Sequence, residues 1–426
     1  MRRLACLFAF LLTVGTLPAV AQEQGNAGSD TQPTGGSSEE AQTEDNRVQP
    51  MPASVQGDVD TNEDPDAKRV EEMELGEKQE AGTWDGDLYG SARLHTINLY
   101  DIETGSSDRK LADGASRIGA SGSWQASQGW SVFGRLEYGI SMLDTVTSKA
   151  QTDSGGNLNP RLHNLALESK NLFVKYGKSW STYYQVAGAA DRFSIFGGDA
   201  AGVYNAGTDG GATGTGRSDD AIQTNVFLDF SRWAHIKPFK LNAQYQHGES
   251  IPHAEGLNYG SAYSLSAWFE TRQNIGFGLA WHDAGIDSAD RSALSAIGID
   301  GDAQALALAF KAYGDRWLAS LVLVDMKNLE TTDQDLYFDG RGVELFAQWA
   351  FRKRWWLIGG GNWLVPDSDE LQAGQYEVKY TVLGLRYALD SFKHMFFLEW
   401  RDDHGKRADG LPNENQLTVG FRWDLG

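Results

Sequence analysis

The sequence predicts an all-β protein in which sixteen antiparallel strands form a transmembrane barrel, preceded by a disordered acidic N-terminal segment. Apolar and polar residues alternate with a period of two, which places successive side chains on opposite faces of a strand. The polar positions hold Lys, Asn, Gln, Asp and Arg, which a packed interior rarely accepts. From Trp84 onward there is no run of roughly 18 apolar residues, which excludes membrane-spanning helices.

Sixteen alternating segments have roughly the 9–11 residues that a tilted membrane-spanning strand requires. In the segment 239–246 (FKLNAQYQ), apolar and aromatic residues occupy the odd positions, and Lys, Asn and Gln occupy the even ones. A water-soluble sandwich would have shorter strands and tighter turns. The segments begin near residues 86, 116, 130, 162, 171, 219, 238, 260, 273, 302, 316, 336, 353, 375, 393 and 414. A barrel of roughly 16–18 strands encloses an aqueous channel.

Aromatic residues lie toward the ends of these segments, as in the interfacial girdles of membrane barrels. They are Trp84, Tyr100, Trp130, Trp233, Trp317, Trp355, Trp356 and Tyr387. This placement agrees with strands whose apolar face meets lipid and whose polar face lines water. We therefore assign residues 84–426 to the barrel.

The pattern of residues 1–21 predicts a cleaved signal peptide. Arg2 and Arg3 precede the apolar run Leu4–Val14, and Ala19–Ala21 supply small residues at the cleavage site. A membrane anchor is the alternative, but the run is shorter than the about 20 residues that a spanning helix needs. The single cysteine, Cys6, lies within this segment, so we expect an exported protein without disulfides, thiol nucleophile or lipid attachment.

The composition of residues 22–83 predicts an acidic, disordered extension. Residues 23–80 hold sixteen acidic and four basic side chains, a balance of −12, and too little apolar area to offset the conformational entropy of folding. The alternate acidic positions in 58–64 resemble the start of a calcium-binding loop. Such a loop requires Gly at its sixth position and Glu at its twelfth, where this chain has Glu63 and Arg69.

The charge balance argues against a nucleic-acid partner, which would require a basic face. The chain has 37 Lys and Arg against 58 Asp and Glu, a formal net charge of −21, of which −11 belongs to the barrel region. Residues 211–218 (GATGTGRS) nearly match a phosphate-binding loop, but Arg217 replaces its lysine and no helix follows. The eight histidines lack the spacing of metal ligands. We expect no metal, no cofactor and no catalytic residue.

One connection differs from the rest of the pattern. The stretch Ser179–Arg217 is long and has no alternation. Loops of this length within a folded domain are usually functional or disordered. The aromatic residues Phe193, Phe196 and Tyr204 predict that this loop packs against other parts of the protein.

The barrel region resembles the general diffusion porins of Gram-negative outer membranes. The matching pieces are GWSVFGRLEYGI (129–140), PRLHNLALES (160–169), LFVKYGKSWSTYYQVAGAADRFSIFGGDAAG (172–202), TGRSDDAIQTNV (215–226), LYGSARL in the first strand, SRIGASG in the second and QLTVGFRW in the last. The FGGD element in the long third loop is the most specific of them. The resemblance implies an outer-membrane homotrimer in lipid, with the third loop folded into each barrel and passive diffusion of small hydrophilic solutes and ions.

The resemblance also implies a constriction where basic wall residues face loop carboxylates across the channel. The matching positions are Arg117, Arg161, Lys178, Arg217 and Glu137 on the wall, and Asp191 and Asp199 on the loop. Alternation adds Arg135 to the wall residues. Its neighbour Leu136 faces lipid, so Arg135 faces the lumen, and a charge on the lipid face would be energetically costly. In the alternative role, these charges only hold the loop in place.

Two departures from the family pattern affect this expectation. Ile195 stands where the family often has a glutamate before FGGD, and Arg192 adds a positive charge nearby. The −11 of the barrel region predicts a mild preference for cations. The chain ends in Trp423–Gly426 rather than in an aromatic residue, which affects the expected insertion signal. A substrate-specific channel and a structural barrel tethered to a periplasmic partner are the alternative functions.

Overall fold

Antiparallel β-strands dominate the part of the chain that the computed structural model describes, which is residues 82–100, 107–127, 129–143, 158–230, 236–287, 290–390 and 392–425. The strands are β1 Trp84–Tyr100, β2 Ser107–Asp113, β3 Arg117–Ser127, β4 Trp130–Ile140, β5 Leu158–Ser169, β6 Leu172–Trp180, β7 Arg217–Leu228, β8 Phe239–Gln246, β9 Tyr259–Glu270, β10 Ile275–Ile286, β11 Ala303–Gly314, β12 Trp317–Thr331, β13 Tyr337–Arg352, β14 Trp355–Pro366, β15 Val378–Ala388, β16 His394–Asp403 and β17 Asn415–Leu425. Two short helices, α1 (Tyr184–Ala187) and α2 (Arg291–Ala296), lie in loops.

The seventeen strand segments form a closed barrel of sixteen strands. β2 and β3 are two pieces of one strand, because β2 pairs with the second half of β1 and β3 with its first half. The break between them contains Ala115, whose φ of 76° interrupts the extended backbone. β17 pairs antiparallel with β1 from Gly90 to Tyr100 and closes the sheet. The predicted sixteen-stranded fold is confirmed, and only the piece β2 had no counterpart among the predicted segments.

Along the strands of the barrel wall, side-chain exposure alternates with the same period of two as apolar and polar residues in the sequence. In β10, every second residue from Ile275 to Trp281 is exposed, and the residues between them are buried. In β8, Leu241 and Tyr245 face outward and Gln244 faces inward. The outer face is therefore apolar and the inner face polar, as a barrel surrounded by lipid requires. Among the described residues, no helix is both long enough and apolar enough to cross a bilayer.

The two ends of the barrel differ in the length of their connections. At one end, most connections between described strands are short: 128–129, 170–171, 271–274, 315–316, 353–354 and 389–393. The ends Trp84 and Leu425 of β1 and β17 lie at this same end. Aromatic rings pair there across neighbouring strands, as in Trp84 with Trp124 at 6.0 Å between ring centroids. Of the predicted girdle residues, Trp84, Trp130, Trp317, Trp355 and Tyr387 lie at this end of the barrel. Tyr100 lies at the other end, and the prediction for Trp356 was wrong, because this side chain is buried.

Several predictions concern residues outside the described part of the chain. They are the signal peptide 1–21, the acidic extension up to residue 81, the rejected calcium pattern at 58–64 and the girdle residue Trp233. The first described strand begins at Trp84. These predictions therefore stay predictions.

Candidate functional site: the loop-narrowed channel

The third loop, residues 181–216, lies inside the barrel. Tyr183, Val186 and Ala187 belong to a buried apolar cluster with inward-facing side chains of the barrel wall. On β10 and β11, the wall residues of this cluster are small: Ala280, Ala284, Ala303, Ala305, Ala307 and Ala309. Small side chains leave room for α1 against the wall, and the burial of apolar area holds it there. The predicted packing of this loop is thus present, although its partners come from strands far away in the sequence.

Side chains of β13 to β16 accept hydrogen bonds from the backbone of the loop. Glu399 accepts from the amides of Ser194, at 2.6 Å, and Ile195, at 3.2 Å. Glu344 accepts from the amide of Ala200 at 2.8 Å. Further bonds join the Asp199 amide to Asn362 and the Tyr380 hydroxyl to the Asp199 carboxylate. Loop residues 194–200 are therefore fixed to one side of the barrel.

The backbone of the loop lies close to the wall at Gly342. A Cβ at this position would lie 1.6 Å from the carbonyl oxygen of Ala200, so that only glycine fits. We expect Gly342→Ala to push the loop toward the channel and to lower the single-channel conductance. Gly359→Ala is the matched control, because its Cβ would meet nothing closer than 3.5 Å. Equal conductance of the two variants would contradict this role of Gly342.

On the barrel wall, two predicted arginines come together around the carboxylate of a third predicted residue, Glu137. Arg161 Nε donates to Glu137 Oε1 at 2.8 Å, and Arg117 Nη1 lies 3.8 Å from the same oxygen. The Tyr89 hydroxyl donates to Glu137 Oε2 at 3.1 Å. Arg135 faces the same lumen from β4, with its guanidinium 5.2 Å from the Phe133 ring centroid. Arginines outnumber carboxylates on this wall.

The structure separates Lys178 from this group. The Lys178 ammonium lies 2.9 Å from Asp209 and 2.7 Å from Asp219, at the root of the loop. A register shift in the pairing of β6 with β7 falls between Gly177 and Ser179, at the position of this lysine. Arg217 is fully buried at the same root, with Nη1 4.0 Å from Asp209. Burial alone would raise the pKa of Asp209, but the charges of Arg217 and Lys178 outweigh it and lower that pKa.

The loop carboxylates occupy different environments. Asp199 accepts a hydrogen bond from Tyr380 at 2.6 Å. Asp191 is buried and accepts from the Tyr204 hydroxyl at 2.9 Å and the Tyr184 hydroxyl at 3.4 Å. Burial raises the pKa of Asp191 to about 6; the nearby charge of Asp199 adds to this rise, and the tyrosine hydrogen bonds oppose it. Asp191 therefore changes its charge within the ordinary range of pH.

This titration predicts a pH-dependent ion selectivity. As the pH falls from 7 to 5, Asp191 takes up a proton and the channel loses one negative charge, so the share of current carried by anions should rise with a midpoint near pH 6. Reversal potentials in a salt gradient measure this share. Asp191→Asn should remove the step, and a step that persists in this variant would assign it to a group other than Asp191.

The same titration has a consequence for stability. The folded protein holds the Asp191 proton more tightly than an unfolded chain, whose aspartates titrate near pH 4. The contribution of this group to stability is fully present below about pH 4. It is lost as the pH rises through about 6.

The wall and the loop border one cavity of about 1150 Å³. Its lining includes seven of the eight predicted constriction residues, and Lys178 is the exception. Nine Arg and Lys and eight Asp and Glu line it in the described part of the chain. The charged residues that sequence reasoning missed are Asp87, Arg93, Glu330, Asp333, Asp335, Lys393, Arg401, Arg407, Arg422 and Asp424. Alternation could have found Arg93 and Arg422, which neighbour the apolar residues Leu94 and Phe421.

One departure from the family pattern, Ile195, lies at this cavity, and the other, Arg192, does not line it. Ile195 lines it, and a Cβ on Gly114, at the break between β2 and β3, would lie 3.0 Å from the Ile195 Cδ1 atom. Arg192 is buried, and its backbone carbonyl accepts from Arg386 at 2.6 Å. The tip of the loop thus reaches the strand pieces next to β1.

Known proteins share this architecture. A family model described as "Gram-negative porin" matches residues 81–426. Salmonella typhi OmpF, in a complex with daunomycin, is 17% identical with a TM-score of 0.63, over 80% of this chain and 97% of its own. An anion-selective porin from Comamonas acidovorans is 14% identical with a TM-score of 0.59, over 80% and 100%.

The trimer form of OmpT, an outer-membrane protein of Vibrio cholerae, is 14% identical with a TM-score of 0.55, over 80% of this chain and 100% of its own. No curated protein sequence matches the chain. The solved structures share the fold at low identity, and the family model covers most of the chain, including every described strand. The chain therefore belongs to the Gram-negative porins and is an outer-membrane channel protein.

Proposed function

We propose that the chain forms a non-specific channel through which small hydrophilic solutes and ions diffuse passively, with no cofactor and no covalent step. The observation that carries this proposal is the cavity of about 1150 Å³ inside the barrel, lined by charges of both signs and narrowed by the third loop. Such a lining orders water and disfavours purely apolar solutes. A lumen filled by its own side chains would have no such space.

In this proposal the constriction lies between the wall arginines and the loop. Arg117, Arg135 and Arg161 line the cavity from the barrel wall, and Asp191 and Asp199 line it from the loop. Arg217 and Glu137 contribute from the wall, while Lys178 acts in the alternative role, by holding the root of the loop through Asp209 and Asp219. In this proposal, seven of the eight residues line the constriction, and Lys178 holds the loop in place.

The lining supports weak ion selectivity rather than the mild cation preference expected from the total charge. Nine basic and eight acidic residues line the cavity in the described part of the chain. The −11 of the barrel region therefore lies largely outside the lining of this cavity. Charges more than about 10 Å from the permeating ion are screened at 0.1 M salt, so the lining should decide the selectivity.

We further propose a homotrimer, as in the trimer form of the Vibrio cholerae protein. Short turns face the periplasm in bacterial outer-membrane barrels, which would place Trp84 and the acidic extension on that side. Deletion of residues 22–80 tests whether the extension reaches a periplasmic or cell-wall partner. Loss of association with isolated cell wall at unchanged conductance would support such a tether.

Single-channel recording of the purified protein tests the proposed function. We expect ohmic steps that appear in groups of three and do not saturate with salt concentration. A bilayer that stays closed after insertion would contradict the channel and favour the structural barrel. Micromolar block by one solute, with little current for others, would favour the substrate-specific channel.

A further inference from the structure

An aromatic corner formed by Trp180, Tyr184 and Tyr204 lies at the root of the third loop. The Trp180 and Tyr184 rings stack with centroids 4.1 Å apart and an interplanar angle of 21°. Tyr204 meets Trp180 edge-on at 6.4 Å. All three residues line the channel cavity, and Trp180 and Tyr204 are only half-buried. Aromatic surface is therefore exposed to the water of the lumen. The passage of hydrophilic solutes does not require such a surface.

Two arginines of the wall lie close to this aromatic corner and interact with it electrostatically. The Arg217 guanidinium lies 5.4 Å from the Trp180 ring centroid. Arg161 and Arg217 both interact electrostatically with the Tyr204 hydroxyl, and both line the same cavity. The corner therefore combines flat aromatic faces with a cationic field.

The carboxylates nearby offset this field only in part: Asp191 acts on the Tyr204 hydroxyl, and Asp209 is shared between Lys178 and Arg217. Glu137 is shared between Arg117 and Arg161, so that one negative charge serves two guanidinium groups. Asp191 accepts hydrogen bonds from Tyr204 and Tyr184. The hydroxyls of both tyrosines are thereby directed at the loop carboxylate.

The chemistry of the corner selects for a solute with two features. A planar ring can stack on aromatic side chains in an offset or edge-on arrangement, and a carboxylate can accept charge-assisted hydrogen bonds from arginine. A sugar has no planar aromatic ring, and a simple inorganic anion has none either. The cavity of about 1150 Å³ has room for a one-ring molecule.

We propose that the aromatic corner and its arginines form a weak binding site for small aromatic carboxylates on their way through the channel. This inference rests on the proposed function, because a solute must reach the corner through an open lumen. Permeation requires binding that is strong enough to favour entry and weak enough to permit release. The site would therefore enrich such anions among the diffusing solutes without closing the pathway to others.

The test compares three carboxylates in planar bilayers at constant KCl concentration. Benzoate has the ring and the charge, cyclohexanecarboxylate has a non-aromatic ring of similar size, and acetate has the charge alone. We expect benzoate to reduce the KCl current in a saturable manner, with an apparent affinity about 3- to 10-fold higher than that of cyclohexanecarboxylate. Acetate should reduce it least.

Variants assign the effect to the corner. Trp180→Leu and Tyr204→Leu should each lower the apparent affinity for benzoate toward that for cyclohexanecarboxylate. Trp84→Leu is the matched control, since Trp84 is 77% exposed at the barrel end and does not line the cavity. The KCl conductance of each variant, recorded without carboxylate, verifies insertion.

The outcomes separate the inference from the proposed function. Absence of KCl conductance in the parent protein would overturn both. Normal KCl conductance with benzoate and cyclohexanecarboxylate indistinguishable would overturn the binding site alone, and this comparison in the parent protein holds even where a variant fails to insert. An unchanged benzoate affinity in both inserted leucine variants would also overturn it.

Discussion

Replacing Arg117 with glutamate should turn the channel toward cations. Arg117 lines the cavity, and its side chain is 19% exposed beside Glu137. The substitution changes the local charge by two units and places a second carboxylate next to that of Glu137. At about 4 Å in water, one charge pair is worth about 1 kcal/mol. We therefore expect the cation-to-anion permeability ratio to rise by about 5- to 30-fold.

Salt concentration and a matched variant check this explanation. The shift should be large in 0.1 M KCl and small in 1 M KCl, because the Debye length falls from about 10 Å to about 3 Å. Arg109→Glu makes the same charge change on β2, at an exposed position that does not line the cavity. Similar reversal potentials for the two variants would show that the lining at Arg117 does not control selectivity.

The barrel could be predicted from the sequence because the direction in which each side chain points depends only on its position within its own strand. Side chains alternate with a period of exactly two residues, so that facing follows from position alone within each strand. Arg135 and Glu137 face the lumen and Leu136 faces outward, as alternation requires. The piece β2 was missed because its residues SDRKLAD have no apolar alternation. Its place in the barrel comes from pairing with β1.

The constriction could be predicted only in part, because its geometry depends on distant contacts. Glu344 and Glu399 look like ordinary polar members of alternating strands, yet the closed barrel brings them to the backbone of the third loop. Lys178 was predicted to join the wall arginines. The register shift beside Gly177 instead coincides with its pairing to Asp209 and Asp219. Neither effect has a signal in the local pattern.

Removal of Glu399 should release the tip of the third loop. This carboxylate is fully buried, accepts two loop amides and lies 3.5 Å from Arg386. Glu399→Ala leaves two amides without their acceptor and leaves Arg386 without its counter-charge, and breaking such a buried pair costs about 3–5 kcal/mol. The strand ladders do not depend on these bonds. We therefore expect an inserted barrel with a detached loop, a larger mean conductance and greater current noise.

Proteolysis gives an independent measure of the same release. The peptide bond after Arg192 lies just before the anchored residues 194–200, and Arg192 is only 7% exposed, with its carbonyl accepting a hydrogen bond from Arg386. Trypsin should therefore cut there in Glu399→Ala and spare the parent protein. Glu399→Gln should be intermediate, because its amide oxygen still accepts a hydrogen bond but carries no charge. Glu414→Ala, which removes an exposed carboxylate from another loop, is the control. A trypsin-resistant Glu399→Ala with parental conductance would mean that the remaining contacts, which are the hydrogen bonds of Glu344 and Asn362 and the apolar cluster around Tyr183, suffice to hold the loop.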